Sequence, residues 1–146
     1  MRWLTRLRAL PPQERRALIE AMISLVFARM LLLIPFRWLA RMLGRLERGL
    51  DPSAAVLGAD ERDEALAVRR AVLRVAERLP WKSSCLVRAF AARVMLRRRH
   101  LPSVIQFGVG RTPLEYAAHA WVRCGEIDVV GAETATNFAP IAAFRG

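Results

Sequence analysis

Hydrophobic and polar positions follow two different periods along the chain, and the change falls near residue 102. Before it, apolar residues recur every three or four positions, which is typical of helices; after it, short runs of β-branched and aromatic residues are typical of strands. The predicted helices span about Pro12–Leu33, Phe36–Leu46 and Glu61–Leu79, and a fourth begins at Cys85 and ends before His100. The predicted strands are Ser103–Val109, Leu114–Arg123 and Ile127–Val130, separated by turns at Gly110–Pro113 and Cys124–Glu126. Helices followed by an antiparallel sheet indicate an α+β fold in which the fourth helix packs across the sheet.

Two stretches lack either period. Residues 49–60 combine glycine, proline and serine, and they predict a loop that ends at Asp60 as a helix cap. Residues 132–146 predict an irregular tail whose apolar side chains Phe138, Ile141 and Phe144 cover an edge of the sheet. The pattern therefore divides the chain into a helical region, residues 1–79, and a helix-and-sheet core, residues 80–146.

The first predicted helix is unusually apolar toward its end, between Ile23 and Ile34. A membrane-spanning helix needs about 20 uninterrupted apolar residues, whereas Arg29 interrupts this run and Pro35 closes it. A buried helix or an interface with a partner is therefore the favoured interpretation. The second helix is amphipathic, and its pattern fits contact with a membrane surface and packing on the core of the protein equally well. Both helices contain more apolar residues than a single helical layer needs to cover a small sheet. This excess predicts that part of their surface contacts a partner or a membrane.

Composition narrows the class of protein. With 146 residues and 54% hydrophobic content, the chain supports one domain, or one core with a helical extension. Its formal net charge is +11, and Lys82 is the only lysine among the 24 lysines and arginines. Such a surface attracts acidic peptides or anionic surfaces. Nucleic-acid binding is not favoured, because no interleaving of aromatic and basic residues and no reader motif accompanies the charge.

The cysteine count and the first residues predict the compartment. Two cysteines, Cys85 and Cys124, do not make a disulfide framework, and the basic start of the chain runs into Pro11 and Pro12 instead of the apolar stretch of a signal peptide. A reducing cytoplasm is expected, where Cys85 stays a free thiol. The cysteines and histidines lack the spacing of a zinc site, so neither a metal nor another cofactor is predicted. Cys124, in a predicted hairpin turn, is expected to be an exposed bystander.

Cys85 and His119 are the candidate catalytic residues. Ser83 or Ser84 supplies an N-cap, so that Cys85 lies in a first helical turn, where unpaired backbone N–H groups and the helix dipole favour the thiolate. An imidazole can hold the proton of the thiol and later deliver it to a leaving amine. His119, in a predicted strand, suits this role better than His100, which is expected at a solvated helix end. Taken alone, the pattern also fits a small buried cysteine and a core histidine.

Four short motifs occur in one order with short gaps. They are Ser84-Cys85-Leu86-Val87-Arg88-Ala89, Arg98-Arg99-His100-Leu101-Pro102-Ser103, Phe107-Gly108-Val109 and Ala118-His119-Ala120-Trp121-Val122. This ordered set resembles the leader peptidase of bacterial lasso-peptide biosynthesis, the peptidase half of the B protein, within the transglutaminase-like and papain-like cysteine peptidases. The resemblance covers roughly residues 80 to 145, and it extends more loosely to the arginine-rich helices before them.

The resemblance implies a function and a set of partners. It implies an endopeptidase that removes the leader from a ribosomally made lasso-peptide precursor, with Cys85 as nucleophile and His119 as its proton partner. The freed core would then be closed by a separate ATP-using, asparagine-synthetase-like macrocyclase. Leader recognition is expected from a separate small protein, because the N-terminal half predicts helices without strands. Two alternatives stay open: a non-catalytic peptide-binding adaptor of the same fold, and an acyl transferase or amidase that uses the same dyad.

The sequence leaves two candidates for the third member of the site, a side-chain acid and a backbone carbonyl. By resemblance, an acid about a dozen residues after the histidine orients the imidazole, but Gly131 stands there, and the nearby acids are Glu126, Asp128 and Glu133. A two-residue turn places His119 opposite residue 130 or 132, and alternation then puts Asp128 on the face of His119. Asp128 is therefore the candidate, with a backbone carbonyl as the alternative. The backbone N–H of Cys85 is one expected oxyanion donor, and the second is not assigned.

Overall fold

A computed structural model describes residues 9–42, 45–47, 55–111 and 116–145. The helices of this part of the chain are α1 (Pro12–Leu31), α2 (Phe36–Met42), α3 (Ala59–Ala76) and α4 (Cys85–Arg98). The strands are β1 (Arg45–Glu47), β2 (Val104–Arg111), β3 (Tyr116–Cys124), β4 (Ile127–Val130) and β5 (Ala139–Arg145), with a 3₁₀ helix at Ala132–Asn137 before β5. The predicted α+β class is confirmed.

The helices begin where the local chemistry favours a start. Pro12 opens α1, where the missing N–H of proline costs no hydrogen bond. Gly58 precedes α3, and its N–H donates to the carboxylate Oε2 of Glu61 at 2.8 Å. At its far end, α4 stops at Arg98, and the exposed His100 follows in the left-handed conformation with φ 55°. The solvated helix end predicted for His100 is confirmed.

The five strands form one antiparallel sheet in the order β1-β5-β2-β3-β4. β2 and β3 pair along their whole described length, from Val104 opposite Arg123 to Arg111 opposite Tyr116. β3 and β4 are joined by a two-residue turn at Gly125 and Glu126, and Arg123 pairs with Asp128 beside it. A bulge between Val122 and Arg123 then shifts the register by one residue.

The core lies between the helices and one face of the sheet. Ile105 of β2 pairs with Val122 of β3 on one side and with Phe144 of β5 on the other, and all three belong to this core. α4 packs in its middle, in contact with α1, α3 and β3. Alternation places His119 and Trp121 on the opposite face of β3 from Val122, where the 3₁₀ helix covers the strand.

An arginine is part of this core. Arg93 of α4 is buried, and its Nη1 donates to the carbonyls of Ser103 at 2.7 Å and Phe144 at 3.1 Å. Burial, with the nearby charge of Arg97, lowers its pKa to about 10. The guanidinium thereby connects the cysteine helix to the start of β2 and to β5.

Two predictions about the strands were wrong. The irregular tail contains β5, which pairs with both β1 and β2. Its sequence is rich in alanine and contains Pro140, which cannot donate to a ladder, and the chain accommodates it at a bulge between Phe107 and Gly108 of β2. The second helix ends at Met42 instead of near Leu46, and residues 45–47 form β1.

Other boundaries moved by a few residues, as helix ends usually do. α1 ends at Leu31, and α3 begins at Ala59, so that Asp60 lies inside the helix instead of capping it. Residues 49–54 of the predicted loop, and residues 112–115 of the predicted turn and strand start, lie outside the described residues. Within the described ranges no helix combines the length and the apolar content needed to cross a membrane.

Candidate active site

Cys85 is the first residue of α4. Ser84 is the N-cap, and its Oγ accepts a hydrogen bond from the N–H of Val87 at 3.3 Å. Of the two predicted caps, Ser84 is therefore the one used. Cys85 is a half-buried free thiol, and its own N–H belongs to the first turn, which has no acceptor within the helix. The helix start thus presents both a free thiol and a free backbone donor.

Cys85 and His119 line one cavity of about 150 Å³. The cysteine comes from the start of α4 and the histidine from the middle of β3, so the fold joins two segments that are distant in sequence. The remaining lining residues are Leu73, Ser83, Arg88, Gly131 and Glu133. The structure therefore brings the two predicted catalytic side chains together at the end of β4.

A backbone carbonyl holds the imidazole of His119. Its Nε2 lies 2.6 Å from the carbonyl oxygen of Gly131 and 3.0 Å from Oγ1 of Thr134. Because a carbonyl only accepts hydrogen bonds, Nε2 carries the proton and donates it to Gly131. The neutral ring then has its lone pair on Nδ1, which is the basic nitrogen available to a thiol.

Two aromatic rings fix the plane of the imidazole. Phe138 stacks on His119 with the ring centroids 4.8 Å apart, and Trp121 stacks with the centroids 5.8 Å apart. Trp121 is itself held, since its Nε1 donates to Oε1 of Gln106 at 2.8 Å. Trp121 is buried and at the same time covers one side of the histidine ring.

The three acids near the histidine in sequence have different positions. Asp128, the predicted orienting residue, ion-pairs through Oδ1 with Nε of Arg123 at 2.7 Å. Glu126 ion-pairs with Arg62 at 2.5 Å on the surface. Glu133 alone among the three lines the cavity. The structure therefore does not bring Asp128 to the cavity, since the register places it at the turn end of β4, opposite Arg123.

Sequence reasoning assigned no site role to Ser83 or Arg88, which also line the cavity. Oγ of Ser83 and Nε of Arg88 are buried and have no hydrogen-bond partner within the described residues. Arg88 follows Cys85 by three positions on α4, a spacing that places both side chains on one side of the helix and that the sequence already displays. Ser83 was visible only as a possible cap.

Cys124 is fully buried at the end of β3, so the prediction of an exposed thiol was wrong. Burial, with smaller contributions from Glu61 and Glu126, raises its pKa to about 11. A hairpin turn usually faces solvent, but here Leu57 lies against the turn glycine, Gly125, from the segment before α3. Cys124 therefore stays a protonated, inert thiol at neutral pH.

In this α+β fold a cysteine at a helix start and a histidine on an antiparallel strand share one cavity, an arrangement that suits a cysteine nucleophile. A family model described as "Transglutaminase-like superfamily" matches residues 30–143, and the chain belongs to this superfamily. Members commonly are cysteine-dependent enzymes. Neither a curated protein nor a solved structure gives a significant match to the chain.

Proposed function

We propose that this chain is a cysteine endopeptidase that removes the leader from a ribosomally made lasso-peptide precursor. The observation that carries the proposal is the shared cavity of Cys85 and His119, in which the Gly131 carbonyl fixes the tautomer of the histidine. Membership of the superfamily supports cysteine-dependent chemistry, and the ordered motifs around both residues support the leader peptide as substrate. The same chemistry needs no metal or cofactor.

The proposed reaction runs in two halves. His119 accepts the thiol proton of Cys85 at Nδ1, and the sulfur attacks the carbonyl carbon of the scissile bond. The tetrahedral intermediate collapses when the imidazolium donates that proton to the departing amine, which is the new amino terminus of the core peptide. Water, deprotonated by Nδ1, then attacks the thioester, and the leader leaves with a free carboxylate while Cys85 regains its proton.

Two donors would stabilise the oxyanion. The backbone N–H of Cys85 is the first, because nothing inside the helix accepts from it. The hydroxyl of Ser83 is the second, because it lines the cavity two residues before the nucleophile and has no partner within the described chain. Ser83→Ala should lower kcat between about tenfold and a thousandfold, with alkylation of Cys85 unchanged. An unchanged kcat would remove Ser83 from the oxyanion hole.

Gly131 replaces the orienting side chain in this proposal. Its carbonyl accepts from Nε2 of His119 at 2.6 Å, whereas the carboxylate of Asp128 is paired with Arg123. Asp128→Ala decides between the two. If Asp128 orients the ring, cleavage falls steeply at unchanged peptide binding; if Gly131 does, the rate stays within about threefold of the parent, as for a surface change.

The proposed partners follow from the function. They are the precursor peptide, a separate leader-recognition protein and an asparagine-synthetase-like macrocyclase that consumes the freed core. The abundance of arginine, with a formal net charge of +11, supports attraction of an acidic peptide. A cytoplasmic location is proposed with them, since both cysteines are free thiols and a reducing compartment keeps them so.

The decisive experiment is incubation with the precursor and the recognition protein, followed by intact-mass analysis. Hydrolysis gives two fragments whose masses together equal the precursor plus one water. Cys85→Ala should give no fragments, and Cys124→Ala, at the inert thiol, should cleave as the parent does. Fragments from Cys85→Ala at the parent rate would refute the peptidase mechanism.

The same assay separates the alternatives. An acyl transferase or amidase replaces water by another nucleophile or acts on a side-chain amide, so the product mass differs in a defined way. An adaptor binds the precursor and leaves its mass unchanged, also after prolonged incubation. Alkylation of Cys85 by iodoacetamide reports separately on whether the thiol is reactive.

A further inference from the structure

The outer face of α1 is apolar although it is exposed. The inner face is packed into the core through Leu25, Ala21 and Ala28. On the opposite face, five apolar side chains recur at helical spacing; they are Ile19, Ile23, Val26, Phe27 and Met30. Ile23 is 64% exposed and Met30 57%. α1 is thus apolar on both sides, but the protein covers only one of them.

The apolar surface continues past the end of α1. Leu33 is 78% exposed, Ile34 follows it, and Trp38 of α2 is about half exposed. We call these eight side chains the outer apolar surface. Contiguous exposed apolar side chains of this kind often mark a site of interaction with a partner or a membrane.

The charges around the outer apolar surface are of one sign. The sequence contains no acidic residue between residues 21 and 46, whereas Arg29, Arg37 and Arg41 occur there. Arg15 precedes Ile19 by one helical turn. None of these four arginines forms an ion pair with another described residue, and the guanidinium of Arg41 lies 5.1 Å from the ring centroid of Trp38.

The acids of α1 do not offset these arginines. Glu20 binds Arg99 of the segment after α4 through two hydrogen bonds of 2.7 and 3.0 Å. Glu14 lies 3.9 Å from Arg74 of α3. Both carboxylates are therefore engaged by the body of the protein, and the outer apolar surface is bordered by positive charge.

The outer apolar surface and the arginines around it fit one kind of binding partner better than another. A second copy of the chain would bring arginines against arginines, which is unfavourable without acids between them. A bilayer with anionic headgroups offers an apolar interior to Ile23 and Met30 and negative charge to the arginines at once. Tryptophan beside arginine suits the level of the headgroups.

We propose that the outer apolar surface lies in the interface of an anionic membrane, with α1 parallel to the membrane plane. The inner face of α1 stays packed on α3 and α4, so attachment through the outer face leaves the contacts of the core in place. Membrane attachment does not depend on catalysis, so a test of attachment is independent of the test of the peptidase proposal.

Co-sedimentation of the full-length protein with vesicles tests this. We expect binding to vesicles of phosphatidylcholine with phosphatidylglycerol, weaker binding to phosphatidylcholine alone, and weakening by salt. Replacing Ile23 and Met30 together by serine should reduce the partition coefficient about tenfold or more, because two half-exposed apolar side chains are removed. The double variant Arg15→Gln and Arg29→Gln should bind the two vesicle types with more similar partition coefficients than the parent does.

Val56→Ser is the matched control, since Val56 is 90% exposed but lies before α3, away from α1. It should bind as the parent does, and the melting curves of all variants should coincide because the changed residues are exposed. The proposal is overturned if the protein binds neither vesicle type, or if the Ile23 and Met30 variant binds as well as the parent. It is also overturned if that variant binds lipid unchanged but dissociates a dimer or loses the recognition protein or macrocyclase.

Discussion

The helices α1 and α4 have similar sequences in one respect, since neither has a polar face opposite an apolar one. In α4 the reason is plain: α1, α3 and the sheet surround it, and even Arg93 is buried. In α1 the protein covers one face and leaves the other in contact with solvent. A helix that is apolar all round normally indicates a fully buried element. The comparison teaches that the sequence pattern alone does not distinguish a helix enclosed on all sides from one that the chain covers on a single face.

The two helices are also assigned different functions. In the two proposals made above, the first turn of α4 supplies the nucleophile, whereas the outer face of α1 supplies the attachment to the membrane. Changes in α4 should therefore affect chemistry and stability without affecting attachment, and changes on the outer face of α1 should do the reverse.

Cys85→Ala and His119→Ala should have the largest effect. Each removes one member of the dyad, so the rate of leader removal should fall at least about a thousandfold. The melting temperature and the vesicle-bound fraction should stay at the parent values, because both side chains line a cavity and neither belongs to the buried core. Loss of vesicle binding in Cys85→Ala would show that the two helices are not separate in function.

Arg93→Met should have the largest effect on stability, about 3 kcal/mol by urea denaturation. The substitution leaves the carbonyls of Ser103 and Phe144 without the donor that they have in the parent. Arg97→Met, at an exposed position one turn further along α4, is the control and should change stability by less than about 0.5 kcal/mol. Equal stabilities of the two variants would mean that the buried guanidinium is replaceable by packing alone.

Enlarging a side chain should distinguish the two helices directly. Ala92 of α4 is completely buried, and Ala92→Leu should destabilise the fold by about 2 kcal/mol because the core has no room for it. Val26→Leu, on the outer face of α1, adds one methylene to an exposed side chain and should change stability by less than about 0.5 kcal/mol. If Val26→Leu were as harmful as Ala92→Leu, the outer face would be packed in the native protein.

The smallest effect concerns the buried thiol at the end of β3. Burial raises the pKa of Cys124 from 9.0 to about 11. The unfolded chain therefore loses this proton first as pH rises, so the stabilisation is complete below pH 9 and is lost as pH rises through about 11. Near pH 10 the loss should be about 1.4 kcal/mol. Urea denaturation of the parent and of Cys124→Ala at both ends of this range checks it, since the variant should lack this step.

Much of the fold follows from periodicity. α4 and the hairpin of β3 and β4 are predictable, because Ser84 is a strong cap and alternating apolar runs flank a tight turn. β5 is not predictable from local pattern, since alanines and Pro140 have low strand propensity. Its strand conformation comes from pairing with β1 and β2 on either side, a contact between distant segments.

The candidate site also has a part that the sequence predicts and a part that it does not. Cys85 and His119 are visible because their residue types carry chemistry, and the structure places both at one cavity. The acceptor for Nε2 of His119 is a main-chain oxygen, which every residue has, so no residue type could indicate Gly131. The bulge between Val122 and Arg123 is likewise invisible in the sequence, and it separates the pairing of Asp128 from the strand segment that carries His119.

The backbone of Gly131 has a consequence for the history of the site. Its φ of 79° is left-handed, and a Cβ at this position would lie 2.6 Å from the carbonyl oxygen of Ala120, closer than real contacts allow. An aspartate placed here by a single mutation would therefore have to rebuild the turn and would displace the carbonyl that now serves His119. An acidic side chain at this position therefore requires further changes that rebuild the turn. Relatives in which a glycine makes this turn are therefore expected to retain the glycine instead of acquiring an acid at the same position.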